Sequence, residues 1–324
     1  MEHRRLGSSG LQLSAIGLGG WATFGERLSG REAMRVLAAA RSAGITLFDN
    51  AETYAGGRSE EAMGRAIRRL RWPRDSFAIT SKVFWGTGSG LPLARGLNRK
   101  HVVEACHAAL RRLRVEHLDL YLCHRPDPHA PLEETVAAMT DLVRQGKILY
   151  WGTSEWPAAS IQRASAMARR RSLVAPVTEQ AQYNVFVRRR VEQEYAPLYD
   201  RLGLGLMAWS PLAYGVLAGR YGGDGGGRRG RLDRPGYAWL RETILDERAD
   251  RRLSAARELG EIARELDRSP AALALAWVLS NARVGCAVMG ASSARHVEEN
   301  VTALELLPLD LDVRRRLDGL IDPV

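Results

Sequence analysis

Three consecutive segments within residues 118–154 decide the fold: LDLYLCH at Leu118–His124, LEETVAAMTDLVR at Leu132–Arg144 and ILYWGTS at Ile148–Ser154. The first and third are short, largely apolar runs, of a length typical of strands buried on both faces. The middle segment repeats its apolar residues with the period of an α-helix. Strand, helix and strand within about 30 residues form the repeating unit of a parallel sheet.

The same alternation runs through most of the chain, and eight repeats predict a closed (β/α)8 barrel, the TIM barrel, with its helices outside. The strand-like runs are Ser14–Gly20, Ile45–Asp49, Phe77–Val83, Leu118–His124, Ile148–Ser154, Val177–Ala181, Leu204–Trp209 and Gly285–Gly290. The helix-like stretches are Arg31–Ala43, Ser59–Leu70, Arg99–Arg112, Leu132–Arg144, Ala158–Arg170, Val191–Arg201, Pro270–Asn281 and Ala294–Leu306.

An open doubly wound sheet is the structural alternative, and it usually carries a GxGxxG or GxGxxA turn between its first strand and a helix. The segment Gly17–Ala22, GLGGWA, matches the second pattern by letter. Residues 23–30 are loop-like, however, and the helical period begins only near Arg31. The missing helix favours the barrel.

Three further segments decorate the predicted barrel, and we expect one domain over residues 1–324. Arg5–Gln12 is predicted to form a hairpin that turns at Ser9-Gly10 and plugs the barrel bottom. Pro211–Asp246 is a long insertion after the seventh strand, typical of a lid or binding loop, and Gly222–Gly230 within it is too rich in glycine to pack alone. Pro308–Val324 adds a C-terminal segment.

The composition, 45% hydrophobic and 26% charged over 324 residues, is that of a globular protein. Its three cysteines show no CxxC spacing, which predicts a reducing, cytoplasmic location, and neither a signal peptide nor an apolar run of about 20 residues is present. The formal net charge is +10, and only three of the 47 basic residues are lysine. Their scatter beside acidic residues indicates a solvated surface; a polyanion partner is the alternative, without a nucleic-acid-binding motif to support it.

Four polar residues fall at strand ends or in the loops that follow, where barrel enzymes place their chemistry. These are Asp49, Tyr54, Lys82 and His124. Taken singly, Asp49 fits a turn residue, Tyr54 a rim aromatic and His124 a backbone hydrogen-bonding group. Lys82 is harder to explain, because a charge at the end of an apolar strand needs a partner such as Asp49. Together the four indicate acid–base catalysis.

The chain resembles the aldo-keto reductases in FDNAETY at Phe48–Tyr54, ITSK at Ile79–Lys82 and YLCHRPD at Tyr121–Asp127. The resemblance covers nearly the whole chain and is narrower to the voltage-gated potassium channel β-subunit branch. The segments that carry this narrower resemblance are Lys82–Gly86, Gly96–His101, Tyr150–Ser154 and Trp209–Leu212.

This resemblance implies an oxidoreductase that reduces aldehydes and ketones to alcohols with a nicotinamide cofactor. Tyr54 would act as the general acid, and the Lys82 ammonium would lower the pKa of its phenol, which is near 10 for free tyrosine. Asp49 would hold Lys82 charged, and His124 would position the substrate carbonyl. Trp21, Phe24, Tyr54, Trp85 and Trp156 would form an aromatic mouth that selects no particular carbonyl compound.

The resemblance also implies which residues bind the cofactor. NADP(H) is the first choice and NAD(H) the second, because His296 stands where many relatives carry an arginine for the 2′-phosphate. Glu155 replaces an asparagine that often binds the carboxamide, and we therefore leave it out of the implied set. The set is Gly20, Trp21, Asp49, Ser154, Gln180, Trp209, Ser210, Pro211, Leu212, Ala213, Tyr214, Arg220, Arg231, Gly290, Ser292, His296, Glu299 and Asn300.

Two other functions remain as alternatives. Channel β-subunits share this fold and act as cytosolic partners of a membrane protein, sometimes as tetramers. The short segment before the first strand, and His124 in place of the asparagine of the animal channel subunits, favour an enzyme. A metal-dependent hydrolase would need several histidine and carboxylate ligands at strand ends, and no HxH pair occurs. We therefore expect no metal, no nucleic acid and no membrane insertion.

Overall fold

The computed structural model describes residues 1–221, 230–234 and 236–321. Strand β1 (His3–Arg5) pairs antiparallel with β2 (Gln12–Ser14), which confirms the predicted hairpin. The turn approaches the amino end of a barrel strand so closely that a Cβ on Gly7 would lie 2.3 Å from the carbonyl oxygen of Gly203. Leu6 is fully buried in the apolar cluster inside the barrel, so the hairpin closes its lower end.

Eight parallel strands close into a barrel, as the alternating sequence pattern predicts. Around the barrel, each strand lies beside its neighbours in sequence, and the last strand pairs with the first. Nearly every strand residue is buried, because the inner face packs in the barrel and the outer face packs against helices. The strands are β3 (Ile16–Gly19), β4 (Leu47–Asp49), β5 (Ala78–Val83), β6 (Leu118–Cys123), β7 (Ile148–Ser154), β8 (Thr178–Gln182), β9 (Gly205–Trp209) and β10 (Val284–Gly290).

Helices surround the barrel, and three of them were not predicted. The longest of these is α8 (Ala249–Glu265), which buries mainly alanines such as Ala255 and Ala256. Because alanine is only weakly hydrophobic, the helical period is difficult to recognise among the charged residues of this segment. The stretch Val191–Arg201, predicted as one helix, is a π-turn at Arg190–Glu194 followed by α6, with Pro197 at the start of the second piece. The helices are α1 (Gly30–Ser42), α2 (Arg58–Leu70), α3 (Arg99–Leu113), α4 (Leu132–Arg144), α5 (Ala158–Arg170), α6 (Ala196–Leu202), α7 (Ala238–Ile244), α8 (Ala249–Glu265), α9 (Pro270–Leu279), α10 (Ala294–Val301) and α11 (Leu311–Asp318).

The insertion after β9 reaches over the carboxyl end of the barrel. The Tyr237 hydroxyl donates to a carboxylate oxygen of Glu26 at 2.7 Å, and the Arg231 guanidinium lies 4.6 Å from the ring centre of Trp21. Residues 222–229 of the predicted glycine-rich loop lie outside the described residues. Within the described ranges, no helix has the length and apolar character needed to cross a membrane.

A buried carboxyl lies between β8 and the helix layer. Glu179 accepts hydrogen bonds from the Thr153 hydroxyl at 2.5 Å and from the Trp156 amide at 3.3 Å, and no cation forms an ion pair with it among the residues described. Burial raises the pKa of Glu179 from 4.5 to about 8. The folded protein therefore keeps this carboxyl protonated at neutral pH.

Glu179→Gln should change how stability depends on pH. Between pH 4.5 and about 8 the folded wild type holds the Glu179 proton while the unfolded chain releases it, so this contribution to stability is full below pH 4.5 and is lost as pH rises to 8. We expect the variant to gain stability relative to the wild type by up to about 1.4 kcal/mol per pH unit in this window. Urea titrations at several pH values measure it, with exposed Glu298→Gln as control. A difference independent of pH contradicts the assignment.

Candidate active site

The carboxyl ends of the strands and the loops that follow enclose a cavity of about 660 Å³, a volume typical of small-molecule sites. Each of the eight barrel strands, or the loop that follows it, contributes to the wall. The sequence-predicted residues that line it are Trp21, Asp49, Tyr54, Trp85, His124, Ser154, Gln180, Trp209, Ser210, Pro211, Leu212, Tyr214, Arg220, Arg231, Gly290, Ser292 and His296.

Lys82 lies just beneath this cavity, with its side chain fully buried. Its ammonium donates to the Asp49 carboxylate at 2.6 Å, the Asn50 carbonyl at 2.7 Å and the Tyr54 hydroxyl at 3.2 Å. An ammonium has three N–H donors, so these three acceptors satisfy it fully. Burial alone would lower the pKa of Lys82, but the charge and hydrogen bond of Asp49 together with the interactions with Tyr54 outweigh it, so the pKa is raised.

Asp49 of β4 is hydrogen-bonded to side chains of two other strands, β5 and β8. Its other carboxylate oxygen accepts from the Thr80 hydroxyl at 2.7 Å and from the Gln180 side-chain amide at 3.1 Å. The network therefore crosses the barrel interior from β4 and β5 to β8. These hydrogen bonds fix the carboxylate that holds Lys82 in place.

A tight turn presents Tyr54 to the cavity. Ala55, Gly56 and Gly57 all have positive φ angles, of 52°, 63° and 89°, which reverse the chain immediately after the tyrosine. The preceding Glu52 is buried and accepts the backbone amides of Phe84 and Gly86 at 2.7 and 2.9 Å. These hydrogen bonds attach the loop to the segment after β5. The position of Tyr54 is therefore set by Glu52 before it and by the turn after it.

The net direction of the Tyr54 pKa differs from the sequence-based expectation. Burial raises the pKa of the phenol above 10.0, and the Lys82 ammonium opposes this shift without reversing it. The phenol is therefore protonated at neutral pH. A protonated phenol beside a fixed ammonium can donate its proton, and the ammonium stabilises the phenolate that remains.

His124 completes the set of four. Its ring packs edge-on against Tyr54 with the ring centres 5.9 Å apart. Burial and the nearby charge of Lys82 hold the pKa of His124 well below 6.5, so the imidazole is neutral. Its Nδ1 is buried and has no hydrogen-bond partner among the described residues, while the residue itself lines the cavity.

Several sequence-predicted residues do not line the cavity. Lys82 lies beneath the cavity. Gly20 is in the loop after β3 and Ala213 in the loop after β9, but neither residue contributes to the cavity wall. Asn300 is buried, where its side-chain amide contacts the Met289 sulfur, and Glu299 pairs with Arg295. Phe24 and Trp156, expected in an aromatic mouth, are buried outside the cavity.

Glu155 supports the wall of the cavity. It has a positive φ of 58° and accepts the Trp209 indole N–H at 2.8 Å and the Gln182 amide at 2.7 Å. Its second oxygen pairs with Arg190 at 2.5 Å. Glu155 therefore fixes the orientation of the Trp209 ring, a role that its position after Ser154 did not reveal in the sequence.

Cationic residues that the sequence analysis missed also line the cavity. Arg27 and Arg234 line the cavity together with Arg220. Burial lowers the pKa of Arg27, and the charges of Arg234 and Arg220 lower it further. Arg220 also approaches the His296 ring nitrogen at 3.2 Å. Several positive charges close together are stabilised when an anionic group binds among them. The cavity would therefore suit a dinucleotide whose phosphates lie beside these arginines and whose carboxamide lies near Ser154 and Gln180. Nothing in an arginine-rich sequence distinguishes these arginines from the others.

Known proteins resemble this chain over nearly its whole length. A model described as the aldo/keto reductase family matches residues 15–322. A protein of Oryza sativa subsp. japonica described as a probable voltage-gated potassium channel subunit beta is 45% identical over 309 residues, which cover 95% of this chain and 93% of that protein. A protein of Arabidopsis thaliana with the same description is 44% identical, with the same coverage.

The Lys82–Asp49 pair should show strong coupling in stability. Lys82→Met leaves a buried carboxylate without its cation and should lower the free energy of unfolding by about 3–5 kcal/mol. Asp49→Asn leaves the ammonium without its counter-ion and should also destabilise. The double variant should lose much less than the sum, because no unpaired charge remains.

Urea titrations of the four proteins measure this coupling. The exposed pair of Arg65 and Glu61, 3.3 Å apart on α2, is the matched control and should couple weakly. Additive losses at Lys82 and Asp49 would show that the two charges do not depend on each other.

Proposed function

The chain belongs to the aldo/keto reductase family, and we propose that it reduces aldehydes and ketones to alcohols with NADPH, with Tyr54 as general acid. The observation that carries this proposal is the Tyr54 hydroxyl, 3.2 Å from the buried Lys82 ammonium, on a residue that lines the cavity. Carbonyl reduction requires a proton donor that can keep its proton at neutral pH and still part with it when charge develops on the carbonyl oxygen.

Each member of the set has a role that follows from its surroundings. Tyr54 donates the proton to the carbonyl oxygen, and the fixed charge of Lys82 stabilises the phenolate left behind. Asp49 keeps Lys82 charged and in place. His124, neutral and lining the cavity beside Tyr54, hydrogen-bonds the substrate and orients it. Reduced nicotinamide supplies the hydride when bound.

The cofactor would lie across the mouth of the barrel. Ser154 and Gln180 would bind its carboxamide, and Trp209, held by Glu155, would stack on the nicotinamide. The phosphates would lie among the arginines after β9 and near Gly290 and Ser292. We prefer NADPH to NADH because Arg220 and Arg27 lie beside His296 and add the positive charge that an extra phosphate needs.

The second candidate is a cofactor-binding regulatory subunit of a membrane channel with little turnover. The descriptions of the rice and Arabidopsis relatives favour it. A complete proton-donating set, with His124 at its mouth, favours the enzyme. NADPH consumption with 4-nitrobenzaldehyde or methylglyoxal separates the two, since cofactor binding without turnover over a broad carbonyl panel supports the regulatory subunit.

We further propose one barrel domain over residues 1–324 and a cytoplasmic location. A homotetramer is the oligomer to test, because the relatives are described as channel subunits. Light scattering of the purified chain measures its mass in solution, and a monomer would contradict the tetramer.

Tyr54→Phe should abolish carbonyl reduction, lowering kcat by about 100-fold or more, because the ring remains and only the donor is lost. NADPH affinity should stay nearly unchanged when measured by cofactor fluorescence. Tyr150→Phe, a similar change on β7 toward the opposite end of the barrel, is the control and should keep full activity. Full turnover by Tyr54→Phe refutes its role as general acid.

The pH profile of reduction should be broad. Since the pKa of Tyr54 lies above 10.0 and that of His124 well below 6.5, neither group titrates between these values. We expect kcat at saturating NADPH to stay flat from pH 6.5 to 10. Stopped-flow or steady-state rates across this range measure it, and a single ionisation centred near pH 8 would contradict the pKa directions of both groups.

A further inference from the structure

One cation of the cavity stands apart from the others. Arg125 follows β6 and lines the cavity together with Tyr54, Trp85 and His124. Its guanidinium donates to the backbone carbonyl of its neighbour His124 at 2.5 Å. In the part of the chain that the structure describes, no carboxylate forms an ion pair with it. A guanidinium has five N–H donors, so most of its capacity remains unused.

The acidic groups near Arg125 are committed to other partners. Both carboxylate oxygens of Asp127 accept backbone amides, one from Leu97 and the other from His129. Glu155 is bound by the Trp209 indole and by Arg190. The charge of Arg125 therefore acts on the cavity, where it lowers the pKa values of Tyr54 and Tyr214 against the larger effect of burial.

The position of Arg125 in the barrel separates it from the other cavity arginines. Arg27 follows β3, and Arg220, Arg231 and Arg234 follow β9. Strand β6 is three strands away from β3 and three from β9 around the barrel, directly across from β10. A cofactor whose phosphates lie among the β3 and β9 arginines leaves Arg125 unneutralised, on the side of Tyr54 and His124 where the substrate binds.

We infer that Arg125 binds a carboxylate of the substrate, so that the enzyme acts best on aldehydes that carry a carboxylate group. This inference rests on the proposed function, which it deepens by naming the substrate class. A planar guanidinium matches a carboxylate with two parallel hydrogen bonds, and one such cation balances one negative charge. The apolar wall that includes Trp85 suits the carbon skeleton between carboxylate and carbonyl.

A matched pair of substrates tests this inference. 4-Carboxybenzaldehyde and methyl 4-formylbenzoate have nearly the same shape and differ in charge. In the wild type we expect a higher kcat/KM for the acid. In Arg125→Gln the ratio of acid to ester should fall about 10- to 100-fold, the effect of losing a charged hydrogen bond.

Two further variants sharpen the result. Arg163→Gln removes the same charge from the exposed face of α5 and should leave the ratio unchanged, which excludes an effect of net charge. Arg125→Lys keeps a positive charge but loses the planar guanidinium, so its ratio of acid to ester kcat/KM should be intermediate. This variant tests the inference if Arg125→Gln folds poorly. An equal loss for acid and ester in both Arg125 variants, or equal kcat/KM for the two substrates in the wild type, overturns the inference.

A binding measurement separates this inference from the proposed function. Benzoate and benzamide are not reduced, and calorimetry gives their affinities for the full chain with NADPH and without it. We expect benzoate to bind the wild type more tightly and Arg125→Gln to lose that preference, even if neither aldehyde is turned over. This binding preference without turnover of either aldehyde would refute the reductase and retain the carboxylate site. Equal affinities of the wild type for benzoate and benzamide refute the carboxylate site, whatever the turnover.

Discussion

A single buried charge, the ammonium of Lys82, constrains the barrel interior. Removing an ammonium from water is unfavourable by several kcal/mol unless all of its donors find acceptors. Here the acceptors come from Asp49, Asn50 and Tyr54, and Asp49 is in turn held from β5 and β8. The carboxyl end of the barrel must therefore be polar. The amino end is free of this demand, and Leu6 and Leu13 of the hairpin fill it with apolar side chains.

Neutral and charged groups occupy different parts of the cavity at this polar end of the barrel. The two groups that would contact the carbonyl, Tyr54 and His124, are both neutral at neutral pH because burial opposes their charged forms. The charges at the rim of the site are instead those of arginines, some on the β9 and β3 loops and one after β6. In the proposed reaction, neutral donors at the centre would perform the proton transfer, while the cations at the edge would bind anionic parts of ligands and orient them.

The sequence predicted the elements whose physical signal is local. All eight strands were found to within about two residues, because a strand buried on both faces is apolar over its whole length. Asp49, Tyr54, Lys82 and His124 were selected because the barrel fixes where strand ends meet, and lysine is rare in this chain. Helix α8 was missed because its buried face is mostly alanine. Arg27, Arg125 and Arg234 were missed because 44 other basic residues surround them in sequence.

The pKa of Tyr54 shows where sequence reasoning stops. The motif names the neighbour, Lys82, and its charge does lower the pKa of the phenol. Burial acts in the opposite direction, and its size depends on how many distant segments pack around the hydroxyl, which spacing along the chain does not reveal. The balance favours burial, so in the proposed reaction the ammonium would act less by forming phenolate in advance than by stabilising it once the proton has left. A donor that keeps its proton until the carbonyl oxygen becomes basic is better suited to reduction than one already ionised.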